Sequence, residues 1–216
     1  MEKVKTIRIQ SLGEEIANAV SHGVGSLLSI AACVIVIVKA AFHSTAIGVV
    51  SSCIYGASLI LLYTFSSLYH SLTNVKAKSV FRIFDHCSIF LLILGTYTPI
   101  CLWMLKGALG WTLFGVNAFC TVLGIVLNSI NLKKFQKLSM ILYILMGWSV
   151  IMSIKQVIAI VPFSGMMFLV AGGLLYTFGI IFYKMKNVKY MHFIWHLFVL
   201  GGSIVHYFFI LFYCFK

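Results

Sequence analysis

The chain has 216 residues, of which 62% are apolar or aromatic and 9% are charged, and its formal net charge is +12. A soluble domain carries about 25% charged residues, so this sequence has too few to cover a water-facing surface, and its apolar content excludes disorder. The composition predicts an integral membrane protein with a single domain over residues 1–216.

Apolar segments long enough to cross a bilayer recur along the whole chain. A spanning helix needs about 20 mostly apolar residues, because the hydrocarbon layer is about 30 Å thick. Strand-like alternation with a period of two is absent, which favours an all-α membrane protein over a barrel. We predict a seven-transmembrane-helix bundle, preceded by a short cytoplasmic tail of about residues 1–16. The predicted spans are 17–38, 46–70, 84–104, 111–130, 139–154, 164–183 and 191–213.

The first span is predicted to stay in the protein. Its apolar run ends at Lys39 without the small-residue cleavage site of a signal peptide.

Basic residues are distributed unevenly between the two sides that seven spans define. One side, with the N-terminal tail, holds Lys3, Lys5, Arg8, Lys76, Lys78, Arg82, Lys133, Lys134, Lys137, Lys184, Lys186 and Lys189. The other side holds Lys39, Lys106, Lys155 and Lys216. Because short cytoplasmic loops are enriched in Lys and Arg, the N-terminus is predicted to be cytoplasmic and the C-terminus outside. Topology and anionic lipid headgroups account for this charge, so we expect no nucleic-acid partner.

Ionisable side chains are rare inside the predicted spans, and those present meet at one depth. Inserting such a group at the middle of a membrane helix costs about 2.5–3.5 kcal/mol on insertion scales, so its presence suggests a functional or structural role. His70 falls in the last, cytoplasmic turn of the second span, with Ser66 one turn deeper, and Asp85 falls in the first turn of the third. His192 and His196 open the seventh span on one helix face. Three helices therefore bring these side chains to one level of the inner leaflet.

The first span adds a polar stripe at the same level. Glu15, Asn18 and His22 follow the i, i+3, i+7 spacing of one helix face, which makes them candidates to support a site there. His206 lies ten residues beyond His196, about 15 Å farther out, and is predicted to be a packed or interfacial histidine.

Three imidazoles with one position left open form the ligand set of a catalytic zinc ion. Asp85 near such an ion would orient a ligand or accept a proton from the bound water. If Asp85 bonds the metal directly, the site is closed and structural, and the sequence leaves both arrangements open. Taken alone, each residue also has an explanation that involves no metal. The spacing of His192 and His196 can arise by chance, Asp85 can form an ion pair with Arg82, and His70 can be a histidine at the membrane interface.

These residues also form four ordered motifs, which are Glu15-x2-Asn18-x2-Ser21-His22-x2-Gly25, Ser66-x3-His70, Asp85-His86-x-Ser88-Ile89 and His192-x3-His196. With these motifs the chain resembles the hemolysin III proteins of bacteria, members of the wider progestin and adipoQ receptor family. The resemblance implies a seven-helix fold with zinc bound by His70, His192 and His196, and with Asp85 and Ser66 beside the metal, a layout related to that of alkaline ceramidases. The short tail and His86 are those of the bacterial branch and argue against a hormone-receptor role.

Three functions remain open for a protein of this kind in the bacterial plasma membrane. The first is a zinc-dependent hydrolase of lipid amides or esters, with Asp85 as general base and then acid, and Ser66 as a donor to the developing oxyanion. The second is a pore-forming, haemolytic protein, and the third is a non-catalytic receptor or regulator with structural zinc. Membrane lipids are the expected partners, and the sequence leaves the oligomeric state open.

Overall fold

The computed structural model describes residues 10–215, and that range is helical with short connections. Residues 1–9 and 216, which include four of the basic residues used to predict the orientation, lie outside it. The helices are α1 (Leu12–His43), α2 (Ala46–Ser71), α3 (Val75–Thr98), α4 (Gly107–Gly147), α5 (Ile154–Ile160), α6 (Phe163–Lys184) and α7 (Met191–Phe209). Two π-helical turns, Pro99–Leu105 and Ile210–Cys214, extend α3 and α7, and the 3₁₀ turn Ser149–Ser153 joins α4 to α5.

Six helical stretches in the described range are long and apolar enough to cross a membrane. They are Leu12–His43, Ala46–Ser71, Val75–Leu105, Gly107–Ile160, Phe163–Lys184 and Met191–Cys214. The prediction of an all-α, multi-pass membrane protein is therefore confirmed, whereas the count of seven crossings and the orientation stay predictions.

The longest of these stretches folds back on itself at Asn131. This residue has non-helical backbone angles (φ −159°, ψ 90°), and its side chain accepts a hydrogen bond from the amide three residues on, as an N-cap does. Asn128 and Ser139 would lie about 16 Å apart along a straight helix. Instead, Ser139 Oγ donates to Asn128 Oδ1 at 2.6 Å. Helix α4 thus consists of a first limb, 107–130, and a second limb, 132–147, that run in opposite directions.

Helix ends lie outside the apolar segments that predicted them. Helix α1 begins directly after Ser11, because the Ser11 side chain caps the Glu14 amide while the Glu14 carboxylate accepts from the Ser11 amide at 2.9 Å. Helix α1 therefore begins before the predicted first span, 17–38. The second limb of α4 likewise begins before the predicted fifth span, 139–154, and the membrane boundaries that define the tail and the spans stay predictions. Hydropathy marks only the apolar part of a helix, whereas polar caps set where the helix starts.

Helices α1, α2 and α7 adjoin at the end where the candidate residues lie. Helix α1 packs along α2 and also contacts α7. The α1–α2 approach is close because α2 carries a glycine at position 56: a Cβ there would meet Cys33 Sγ of α1 at 2.2 Å. As a result, the polar stripe of α1 faces the C-terminal turn of α2 and the first turns of α7.

Candidate metal centre

Three histidines from two helices form a compact cluster at this end. His70 ends α2, and His192 and His196 open α7, one turn apart. Their ring centroids are separated by 5.2 Å (His70–His192), 5.0 Å (His70–His196) and 4.7 Å (His192–His196). One potential ligand nitrogen from each ring lies within 4.8 Å of the others. The arrangement predicted from helix depth is therefore present.

The ring of His70 is held with one nitrogen free for a ligand. Its Nδ1 donates to Glu15 Oε2 at 2.7 Å, and Glu15 Oε1 also pairs with Lys78 Nζ at 3.0 Å. The opposite nitrogen, Nε2, is buried and has no hydrogen-bond partner. Because Nδ1 carries the proton, Nε2 keeps its lone pair for coordination, and a carboxylate partner of this kind raises the basicity of a metal-ligating imidazole.

The ring of His196 is oriented by α1 in a similar way. Its Nδ1 lies 3.3 Å from the Asn18 backbone carbonyl and 3.3 Å from Ser21 Oγ. A carbonyl oxygen only accepts, so Nδ1 carries the proton and Nε2 is left as the ligand atom. His22 stacks on the same ring at a centroid distance of 3.6 Å and an angle of 10°. The side-chain nitrogen of Asn18 lies near a second candidate ligand, 3.5 Å from His70 Nδ1.

The three predicted support residues therefore each contact a candidate ligand, although in different ways. Glu15 accepts from His70 Nδ1, and Asn18 bonds the His196 ring through its backbone. His22 contacts the His196 ring by stacking, and neither of its own ring nitrogens, both buried, has a hydrogen-bond partner.

The cluster fits a zinc ion in the chemistry of its donors. Zinc binds neutral imidazole with bonds of about 2.0–2.1 Å, and tetrahedral geometry places ligand nitrogens about 3.4 Å apart. The ligand nitrogens lie within 4.8 Å of one another, so they would have to approach by at most about 1.4 Å to reach this spacing. The unpartnered Nε2 of His70 is explained by such an ion, since a buried polar atom normally has a partner.

An elongated, mostly apolar cavity of about 150 Å³ reaches the cluster. His192 and His196 form part of its wall, and so do the predicted catalytic residues Asp85 and Ser66. Among the described residues, the group close enough to share an ion consists of the three histidines and does not include Asp85. The nearest recorded polar partner of the Asp85 carboxylate is instead His86 Nδ1, at 3.6 Å.

The far end of the cavity lies between the N-terminal half of α6 and the C-terminal half of α7. His206 reaches it and is packed against α6, with Nε2 3.1 Å from the Leu169 carbonyl, as predicted for a packed histidine. Gly173 and Trp148 line the same end, and the Trp148 indole donates to Thr177 Oγ1 at 3.1 Å.

Residues that the sequence did not single out as site candidates also border this region. His86, Gln136 and Tyr183 line the cavity near Asp85, and Gln136 donates to the Tyr183 hydroxyl. Glu14 accepts from the Tyr190 amide at the start of α7, at 2.8 Å. Two adjacent acids in the first turn of α1 were the only sequence signal for Glu14, and helix capping explains such a pattern as well.

Comparison with known proteins agrees with the motifs. The family model described as Haemolysin-III related matches residues 10–207. The chain belongs to this family. It is 45% identical over 200 residues to Hemolysin-3 of Bacillus cereus, covering 93% of this chain and 91% of that protein. It is 46% identical over 206 residues to a Hemolysin-3 homolog of Bacillus subtilis (strain 168), covering 95% and 97%.

A human protein is related more distantly. The Monocyte to macrophage differentiation factor of Homo sapiens is 27% identical over 162 residues, covering 69% of this chain and 64% of that protein. The haemolysin-III related chain is thus a multi-pass membrane protein whose buried histidine cluster can hold a metal ion.

Proposed function

We propose that the chain is a zinc-dependent hydrolase that cleaves amide or ester bonds of membrane lipids. One observation carries the proposal: the unpartnered Nε2 of His70 belongs to a three-histidine cluster that reaches a cavity whose wall also holds a carboxylate, Asp85, and a hydroxyl, Ser66. A three-histidine site with an open position is the arrangement of catalytic zinc, whereas structural zinc sites use four protein ligands.

The residues of the cavity wall suit a hydrolytic reaction. Zinc held by His70, His192 and His196 would supply Lewis acidity, which would polarise a carbonyl group and make water more acidic. Asp85 takes the proton released by the attacking water and returns it to the leaving amine or alcohol. Ser66 donates a hydrogen bond to the carbonyl oxygen as negative charge develops on it. Glu15, Asn18 and His22 hold the ligand rings in place.

The shape of the cavity favours a lipid substrate. Its inner end carries the polar side chains Asp85, His86 and Gln136, and it continues between membrane helices to His206 and Gly173. His196 and His206 are ten residues apart on α7, which corresponds to about 15 Å along the helix. A polar end beside the metal cluster and an apolar extension match a lipid whose scissile bond lies near the headgroup and whose acyl chain lies in the membrane.

The proposal includes seven crossings with a cytoplasmic N-terminus. The fold-back at Asn131 supports a count of seven, because the two limbs of α4 would then cross the membrane as separate spans. Exposed Lys133, Lys134 and Lys137 follow the fold-back directly and support a cytoplasmic position for it. This orientation places the histidine cluster in the inner leaflet of the bacterial plasma membrane.

The hydrolase proposal is tested with purified protein in nanodiscs loaded with zinc. N-acyl amides and acyl esters of long-chain amines and alcohols are supplied as candidate substrates, and released fatty acid is measured by mass spectrometry. We expect release by wild type and by His43→Ala, since His43 is exposed and lies outside the cavity wall, and a loss of at least about 100-fold in Asp85→Asn, as is typical of removing an acid–base residue. Equal release by wild type and His70→Ala would contradict the proposal. Stable zinc binding without turnover on any lipid would indicate a structural metal instead.

A haemolytic, pore-forming function is the second candidate, favoured by the name Hemolysin-3 of the Bacillus cereus relative. A pore needs a polar lining across the full depth of the membrane, and the cavity described here is mostly apolar. The test is dye release from liposomes containing wild type or a variant in which the three histidines are replaced. Release by both proteins at equal rates would favour a pore, and release by neither would favour the hydrolase.

A further inference from the structure

The first turn of α1 contacts both helices that carry the candidate metal ligands. Glu15 bonds the His70 ring at the end of α2. Its neighbour Glu14 points to the other helix, where Oε1 accepts from the Tyr190 amide at 2.8 Å. Two adjacent carboxylates thus connect α1 to the two elements whose relative position sets the spacing of the histidines.

Glu14 is a buried carboxylate with well-defined partners. Its side chain is 3% exposed, and Oε2 accepts from both the amide and the hydroxyl of Ser11, each at 2.9 Å. Oε2 therefore caps α1, and Oε1 contacts the start of α7. Because the contact to Tyr190 spans 176 positions of the sequence, it fixes tertiary structure and not only the local turn.

The start of α7 needs such a partner. Tyr190 precedes the helix with φ 61° and ψ 3°, a left-handed conformation that is strained for a residue with a side chain. Tyr190 makes no side-chain cap for α7, so the helix lacks an N-cap of its own. A carboxylate from α1 takes this role by accepting a terminal amide and by interacting favourably with the positive end of the helix dipole. His192 lies two residues further along.

We propose that Glu14 is a positioning residue for the metal centre: it holds the start of α7 so that His192 and His196 face His70 at ligand spacing. The inference rests on the proposed function only in requiring that the three histidines bind zinc. Glu14 does not touch the metal and acts through the Tyr190 backbone.

The test measures zinc affinity by chelator competition, together with the visible spectrum of the Co²⁺-substituted protein. Glu14→Ala is expected to weaken zinc binding by about 10–100-fold, the range for residues that orient metal ligands, and to change the Co²⁺ bands. Glu14→Gln keeps an acceptor oxygen and the side-chain volume, so a smaller loss is expected. Ser11→Ala is the matched control, because it removes a partner of the same carboxylate and leaves the Tyr190 contact in place. Its affinity and spectrum should match wild type.

A rescue variant separates positioning from general stability. Glycine adopts positive φ without strain, so adding Tyr190→Gly to Glu14→Ala or Glu14→Gln should recover part of the zinc affinity. Wild-type affinity and spectrum in both Glu14 variants, or a lower melting temperature of the metal-free protein as the only change, would overturn the inference. Absence of zinc binding in wild type would instead overturn the proposed function.

Discussion

Removing the carboxylate of Glu15 should change which nitrogen of His70 carries the proton. In the structure, Nδ1 donates to Glu15 at 2.7 Å, while the Asn18 side-chain amide, also a donor, lies 3.5 Å from the same atom. In Glu15→Ala, the Asn18 amide is the one of these two groups that remains near His70 Nδ1, and it is a hydrogen-bond donor. Nδ1 would then accept, the proton would move to Nε2, and the lone pair required for metal binding would be lost.

The size of this effect follows from what outer partners of metal ligands contribute. Their loss weakens metal binding by about 10–100-fold, which corresponds to about 1.4–2.8 kcal/mol. The loss of zinc affinity in Glu15→Ala should lie at the upper end of this range, because the His70 tautomer also changes. Glu15→Gln should lie at the lower end, since an amide oxygen still accepts from Nδ1 but without the strength of a charged acceptor.

The assay is competition for zinc between the purified protein and a chelator of known affinity. Lys78→Met is the control, because it removes the other partner of Glu15, 3.0 Å away, and leaves the bond to His70. We expect it to bind zinc nearly as wild type does. If Glu15→Ala bound zinc as tightly as wild type, the reasoning about the His70 tautomer would be refuted.

Three other perturbations test separate parts of the structure. His22→Phe keeps an aromatic ring stacked on His196 and should retain zinc affinity, whereas His22→Ala should weaken it; equal effects in chelator competition would contradict a stacking role. Asn131→Ala removes the cap at the fold-back and should lower the free energy of unfolding in detergent by about 0.5–2 kcal/mol. An unchanged value would count against the cap. Gly173→Leu should narrow the end of the cavity that is far from the histidine cluster, since a Cβ there lies in ordinary contact, 3.5 Å, with Trp148. We expect lower activity on the longest acyl chains at unchanged zinc content, so uniform activity would contradict the assigned orientation of the lipid.

The histidine cluster could be predicted from sequence because each ligand lies near a helix end. The predicted direction of the second span gives the expected depth of His70, and the four-residue spacing places His192 and His196 on one face. Depth is a single coordinate along the membrane normal, and it can be predicted from the hydropathy of the spans and the charge of the loops. The stripe of Glu15, Asn18 and His22 followed from the same helical period.

The contacts around the cluster could not be predicted in this way, because they depend on rotation and lateral packing. Hydropathy does not reveal that His22 would stack on His196, or that a tyrosine at position 190 would adopt a left-handed conformation and bond Glu14. Helix ends differ from the bounds of the predicted spans for a related reason. Ser11 and Asn131 set them through local hydrogen bonds, beyond the apolar segments from which the spans were predicted.

Binding of one zinc ion by the three histidines can be measured directly as the metal content of the purified protein, determined by mass spectrometry. Wild type is compared with His70→Ala, His192→Ala and His196→Ala, and His206→Ala is the matched control on α7. We expect one zinc per chain in wild type and in His206→Ala, and little or none in the other three variants. Equal zinc in all five proteins would contradict this expectation.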